Sequence, residues 1–316
     1  MRALPLCCLL GGWLVLPAYA ADAQDWLTRL AEAEQRQNFQ GTFVYERSGS
    51  FSTHSIWHRV EEGGKVRERL LQLDGPAQEV LRVDGRTQCV SGALADQVAT
   101  GQAWPARALD PKQLTVWYDL RIIGQSRVAG RPAVVLAVLP RDQHRYGFEL
   151  HLDRDTGLPL KSLLLNEKGQ LLERFQFTRL ETAEAPPEAA LQPGSGCRPV
   201  NAAAAPAAPA NAWRSEWLPP GFSLTSVLER RSPASSEAVA WLIYGDGLAR
   251  FSVFLEPLRG AVVEDARSQL GPTVAVSKRM STSDGDVMVT VVGEIPLGTA
   301  ERVALSMRAA EAQTKP

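Results

Sequence analysis

The sequence predicts a mainly β, α+β protein: a strongly curved antiparallel sheet with covering helices, followed by a smaller α+β domain. Three observations carry this. Between Gly41 and Leu180, short apolar or alternating runs are separated by turn signals such as Ser48-Gly49, Gly63-Gly64, Asp74-Gly75-Pro76 and Asp84-Gly85. A Pro/Ala-rich stretch over 182–212 then reads as a linker. Beyond it, further β-type runs precede one helical pattern.

The elements follow in order. Arg2 precedes an apolar run from Leu4 to Leu16, and Ala18-Tyr19-Ala20 follows, which reads as a secretory signal peptide over 1–20. The run is shorter than the roughly 20 apolar residues that cross a bilayer. The mature chain is therefore expected in an exported compartment. Asp22-Ala-Gln-Asp25 offers N-cap chemistry, and Trp26, Leu27, Leu30 and Ala31 recur with helical spacing, so 24–36 is predicted to be an amphipathic helix. Strands are predicted at 41–47, 51–60, 65–73, 78–83 and 86–90. Asp110-Pro111, with Leu114, Trp117 and Tyr118 behind it, predicts a second helix. Strands resume at 121–128, 131–140, 145–153, 158–165 and 170–180, making a first domain of 21–181. The second domain, 213–308, has strands near 222–230, 238–244, 248–256, 273–280 and 286–294, then a helix after Pro296; 309–316 is a tail.

Composition excludes several classes. The 316 residues carry 34 Lys+Arg against 35 Asp+Glu, a net charge of −1, with 45% hydrophobic content. That is too apolar for disorder and too balanced for a dedicated nucleic-acid binder. Of four cysteines, Cys7 and Cys8 fall in the signal peptide. Cys89 and Cys197 remain, either a disulfide suited to an oxidising compartment or two isolated thiols.

Catalytic signatures are missing. There is no G-x-S-x-G, P-loop, G-x-G-x-x-G or C-x-x-C pattern. His54 and His58 have the spacing that chelates zinc on a helix, but on a strand they stand roughly 13 Å apart. Asp153-Arg-Asp155-Thr-Gly157 lacks the terminal Glu of a calcium loop and reads as a turn. No enzyme activity, metal or cofactor is expected.

Aromatic residues are the more informative set. Phe43, Tyr45, Trp57, Trp117 and Tyr118 are candidates to line a lipid-sized hollow in the curved sheet, a filled core of the same side chains being the alternative. In the second domain Trp217, Arg230, Arg231, Tyr244, Phe251 and Phe254 are candidates for a partner surface, because aromatic and Arg side chains are favoured interface anchors.

Several stretches resemble one family. They are Asn38-Phe-Gln-Gly-Thr-Phe-Val-Tyr-Glu46, Trp57-His-Arg59, Gln88-Cys89 and the run from Tyr146 through Leu-Asp-Arg-Asp-Thr-Gly to Lys161. Trp217-Leu-Pro-Pro-Gly-Phe222 and Tyr244-Gly-Asp-Gly247 extend the match into the second domain. Through these the chain resembles the MucB/RseB periplasmic regulators of the envelope-stress sigma factor. The resemblance implies an unclosed β-barrel like those of LolA and LolB, plus a smaller C-terminal domain. It implies location in the periplasm, control of alginate biosynthesis, and binding to the periplasmic segment of a single-pass anti-sigma factor of the MucA/RseA type. Shielding of that segment from site-1 proteolysis and release by lipid or lipopolysaccharide are part of the same implication. Self-association into a homodimer is left open. A lipid or lipoprotein carrier of the LolA/LolB type is the competing reading, and it leaves residues 213–308 without an evident use.

Overall fold

The structure, a computed structural model, describes residues 18–76, 78–92, 110–200, 213–231, 237–261 and 263–309. The apolar run of the expected signal peptide, the chain over 201–212 and the tail from 310 lie outside the described residues.

Eleven strands form the first sheet. They are β1 (Phe39–Arg47), β2 (Ser50–Val60), β3 (Val66–Gln72), β4 (Glu79–Val83), β5 (Arg86–Val90), β6 (Tyr118–Val128), β7 (Arg131–Pro140), β8 (Gly147–Asp153), β9 (Pro159–Leu165), β10 (Leu171–Glu181) and β11 (Arg198–Pro199). Their order is β11-β5-β4-β3-β2-β1-β10-β9-β8-β7-β6, antiparallel throughout, with β6 and β11 as free edges. Register shifts at Thr42/Phe43, Leu81/Arg82, Ile122/Gly124 and His151/Leu152 mark bulges, which bend and twist the sheet. It curls until β6 approaches β10 without closing.

Helix α1 (Ala18–Arg36) lies against the concave face. It begins six residues before the expected start because the Ala-rich 18–23 stretch favours helix, so Asp22 and Asp25 sit inside it and cap nothing. Its Ala23, Leu27 and Leu30 pack on Leu120, Leu136, Val138 and Leu152. Further along, Ala33 meets Phe39, Phe43, Leu158, Leu160 and Phe177. Helix α2 (Pro111–Trp117) starts where Asp110 accepts from the backbone N–H groups of Lys112 and Gln113. Asp153, fully buried, is a turn residue: it accepts from Asp155 N, Thr156 N and Thr156 Oγ1 and pairs with Arg131.

Residues 186–200, read from sequence as part of the linker, run along the convex face. A 3-10 turn (Glu188–Leu191) offers carbonyls to Arg69 and Arg67, and Gly194 N donates to Glu79. Arg198 and Pro199 pair with β5, and a disulfide joins Cys89 to Cys197.

In the second domain, β13 (Ser223–Arg231), β14 (Ala238–Gly245), β15 (Arg250–Pro257), β16 (Ala266–Leu270), β17 (Thr273–Thr282) and β18 (Gly285–Gly293) form a sheet in the order β13-β14-β15-β18-β17-β16. Helix α3 (Leu297–Ser306) covers one face. A short ladder of β12 (Trp213–Ser215) with β19 (Met307–Ala309) ties the two ends of the domain together.

Candidate functional site

The junction of the two domains holds a dense network of buried hydrogen bonds. It is built from α2, the β7–β8 connection, and the 217–222 and 246–249 segments. Arg145 in the connection is fully buried. Its Nη1 donates to Asp246 Oδ2 at 2.5 Å, its Nη2 to the Pro220 carbonyl and to Asp142 Oδ2, and its Nε to Asp142 Oδ1. Tyr118 OH donates to the same Asp246 Oδ2 at 3.0 Å, and burial beside that carboxylate pushes the phenol far above its ordinary pKa. Asp246 Oδ1 accepts from the backbone N–H groups of Leu248 and Ala249. The guanidinium also lies against the rings of Phe222, Tyr118 and Trp117 at 5.0, 5.4 and 5.7 Å. A buried charge is tolerable only when paired and fully hydrogen-bonded, and here the partners come from both domains.

Around this centre the contacts are equally specific. Tyr146 OH donates to the Ile295 carbonyl at 3.1 Å. Gly221 has φ +85, and an added Cβ would stand 2.3 Å from the Trp117 indole, so only glycine allows the two domains to meet there. A cleft of about 400 Å³ opens beside Trp117 and Val116 of α2, with Ser223 and Gly245 of the second sheet on its other wall.

His144 makes the junction sensitive to acid. Its Nδ1 lies 3.1 Å from Thr299 Oγ1, its ring meets Trp217 edge-on, and Arg302 covers Trp217 at 3.9 Å. Loss of water lowers the His144 pKa, Arg302 and Arg145 act in the same direction, and Asp142 opposes them. The docked form therefore favours the neutral ring. This contribution to docking is complete above the undocked pKa near 6.5 and is lost as pH falls below it. Protection of 217–222 against hydrogen exchange, taken relative to the intrinsic rate at each pH, is expected to fall from pH 7.5 to 5.5, and this fall is expected to be lost in His144→Gln.

The sequence candidates separate in space. Phe43 and Tyr45 face the concave side, with Phe43 buried against Phe175 and Phe177 and Tyr45 half-buried, its OH donating to Glu173. Trp57 points to the convex face, 5.2 Å from the guanidinium of Arg69, because it stands one residue off the Ile56/His58 set. Trp117 and Tyr118 belong to the junction. The five lipid candidates therefore form no single wall. A half-exposed apolar strip of Tyr45, Ile56, Leu70 and Phe175 remains open on the concave side, next to the filled cluster.

The partner candidates divide similarly. Tyr244 and Phe251 are core, stacked at 5.2 Å beneath α3, where alternation alone could not assign the buried face. Phe254 stacks on Trp241 on the opposite face. Trp217 is half-buried at the junction. The side chains of Arg230 and Arg231 lie outside the described set. Arg145 and Asp246 were not singled out from sequence, although the Tyr244-Gly-Asp-Gly247 turn contains one of them.

Arg47 connects the hollow to the junction. It sits at the end of β1 and reaches Tyr45 OH and Glu173 on one side, and Glu294 and Thr273 of the second domain on the other. Among the described residues no group of three or more His, Cys, Asp and Glu could hold a metal, and no helix is long and apolar enough to cross a membrane.

Comparison with known proteins agrees with this two-domain build. The MucB/RseB N-terminal domain model matches residues 22–195 and the MucB/RseB C-terminal domain model matches 207–308. The chain is 71% identical over 316 residues, all of both chains, to the sigma factor AlgU regulatory protein MucB of Pseudomonas aeruginosa. A structure of the P. aeruginosa MucA/MucB complex is 72% identical, with TM-score 0.85, covering 92% of this chain and 100% of that one. A crystal structure of MucB is 70% identical, with TM-score 0.70, covering 92% and 98%. The two domains and the relatives that share both of them make this chain a member of the MucB/RseB family.

Proposed function

We propose that this chain is a periplasmic negative regulator of the envelope-stress sigma factor, in the setting of alginate control. It binds the periplasmic segment of a MucA/RseA-type anti-sigma factor and shields it from the first proteolytic cut. The observation that carries the reading is the buried Arg145–Asp246 junction, which gives the two domains one defined arrangement. The likeness to the MucA/MucB complex, at TM-score 0.85 against 0.70 for MucB in the other structure at nearly equal identity, supports assigning that arrangement to the partner-bound state. The partner's place is the cleft beside α2, where both domains contribute walls.

Release by lipid or lipopolysaccharide belongs to the same proposal. Arg47 shares its guanidinium between the mouth of the hollow and the second domain, so an occupant near Tyr45 competes for the groups that hold the domains together. If lipid and anti-sigma segment favour different arrangements, each weakens the other by the same factor. A carrier of the LolA/LolB type would not need such a junction. The test is direct: the mature chain mixed with a MucA-type periplasmic segment is expected to form a complex at micromolar concentration and to slow cleavage of that segment. Absence of a complex overturns the reading.

A further inference from the structure

We propose that Ser126, His151 and Glu149 form a nucleophile, a base and an orienting acid on the outer face of the first sheet, a site that takes the acyl group of a small carboxylic ester and passes it to water. The activity is separate from regulation and uses neither the junction nor the hollow. Ser126 Oγ lies 2.7 Å from His151 Nδ1, and His151 Nε2 lies 2.8 Å from Glu149 Oε1. An ionised carboxylate only accepts, so Nε2 carries the proton, Nδ1 is left as an acceptor, and the Ser126 hydroxyl donates to it. That is the proton arrangement of a serine relay with the two ring nitrogens exchanged.

The fold builds the relay from two strands that no sequence pattern joins. Glu149 and His151 alternate on β8 with Leu150 and Leu152, which pack toward α1, so both face outward. Ser126 of β6 stands opposite Ala133 and His151 opposite Val135, so the ring meets the hydroxyl diagonally across β7. His151 is 6% exposed, whereas Ser126 is only half-buried. Loss of water lowers the His151 pKa, Glu149 opposes this, and Lys161, the register partner on β9, adds to it. The free-base ring that the relay needs is thereby favoured.

Room and a donor for the reacting carbonyl lie beside the hydroxyl. Gly124, two residues before Ser126 on the same face, has nothing within 4 Å of the position a Cβ would take, which leaves open space for an ester. Ala129 and Gly130, at φ +50 and +76, make a two-residue turn, so the backbone hydrogen bonds of this hairpin fall at Val128–Arg131 and Ser126–Ala133. The Arg127 N–H between them points away from β7, off an edge to which no strand is paired among the described residues. The N–H of the residue after the nucleophile is a donor that serine hydrolases offer to the oxyanion. His151 takes the Ser126 proton as Oγ bonds to the acyl carbon, and returns it to the departing alkoxide as the ester C–O bond breaks. Water then repeats the exchange on the acyl-serine, releasing the carboxylic acid and restoring the hydroxyl.

Mass spectrometry of the mature protein after exposure to a fluorophosphonate tests the nucleophile, and p-nitrophenyl acetate tests turnover. The expected adduct is on Ser126, and Ser126→Ala abolishes both the adduct and the turnover above the rate of the variant itself. His151→Gln slows adduct formation by about a hundredfold, the scale of general-base assistance. Should His151→Gln fail to fold, the half-exposed Glu149→Gln reads the same relay and is expected to slow the adduct in the same direction. Unchanged urea midpoints for Ser126→Ala show that the loss is not one of folding. No adduct on Ser126, or an adduct formed as fast in folded His151→Gln or Glu149→Gln, is the behaviour of a merely structural hydrogen bond and overturns the relay. An adduct on Ser126 with no Ser126-dependent turnover of p-nitrophenyl acetate overturns the passage of the acyl group to water.

Discussion

Asp246→Ala is expected to lower the unfolding free energy by about 3–5 kcal/mol, the cost of stranding a buried guanidinium. Both members of the Arg145–Asp246 pair are fully buried, and Asp246 also receives Tyr118 OH and two backbone N–H groups. Removing the carboxylate leaves four donors without their acceptor. The loss is read from urea denaturation midpoints, and small-angle scattering is expected to show the domains separating. Arg145→Met combined with Asp246→Leu is expected to recover only the part of the loss that comes from the lone guanidinium, because Tyr118 OH and two backbone N–H groups still lack their acceptor. A single Asp246→Ala variant with unchanged midpoint and unchanged scattering contradicts the role given to this pair.

Reduction of the Cys89–Cys197 disulfide is expected to have an effect of similar size. The bond closes a loop with a sequence separation of 108. For a loop of about 100 residues the chain-entropy model gives roughly 4.7 kcal/mol. The paired Cys89→Ala/Cys197→Ala variant should show this loss in guanidinium chloride, with no further change on adding reductant. The bond also has a local consequence. It fixes the beginning of the connection between the domains onto β5, so that reduction frees residues near 197 and lengthens the effective tether. Hydrogen exchange at Val200, whose backbone N–H donates to the Gln88 carbonyl, is expected to become faster in the reduced protein.

Much of the fold was legible in the sequence because local and global signals agree. The ten long strands of the first sheet lie where alternation and the Gly and Asp turns put them, with ends moved by at most a few residues. Asp110-Pro111 started a helix because a capping carboxylate followed by proline does little else well. The misses have physical causes. β16 is exposed along its whole length, so Ala266–Leu270 carries no apolar alternation. β11 owes its strand form to the neighbouring edge of β5 and to a covalent bond, neither of which is local in sequence. Residues 186–200 read as linker on composition, yet Leu191 is fully buried and their carbonyls serve Arg67 and Arg69.

The site was less legible. Aromatic content indicates material for a wall but not which wall, since a shift of one residue on a strand reverses the face. That is the difference between Trp57 and its neighbours Ile56 and His58. Tyr244 and Phe251 had the composition of an interface and the burial of a core. Arg145 and Asp246 lie 101 residues apart, and no periodicity joins a charge in one domain to its partner in the next.

Regulation as proposed requires lipid and anti-sigma segment to act against each other through the arrangement of the domains. The deciding measurement is the affinity of the mature protein for a MucA-type periplasmic segment, with and without saturating lysolipid, in the native chain and in Arg47→Ala. Lipid is expected to weaken the native complex by about fivefold or more, the lower end of ordinary coupling between sites. In Arg47→Ala that weakening should shrink. Equal affinity with and without lipid, when lipid binding is itself established, would contradict it.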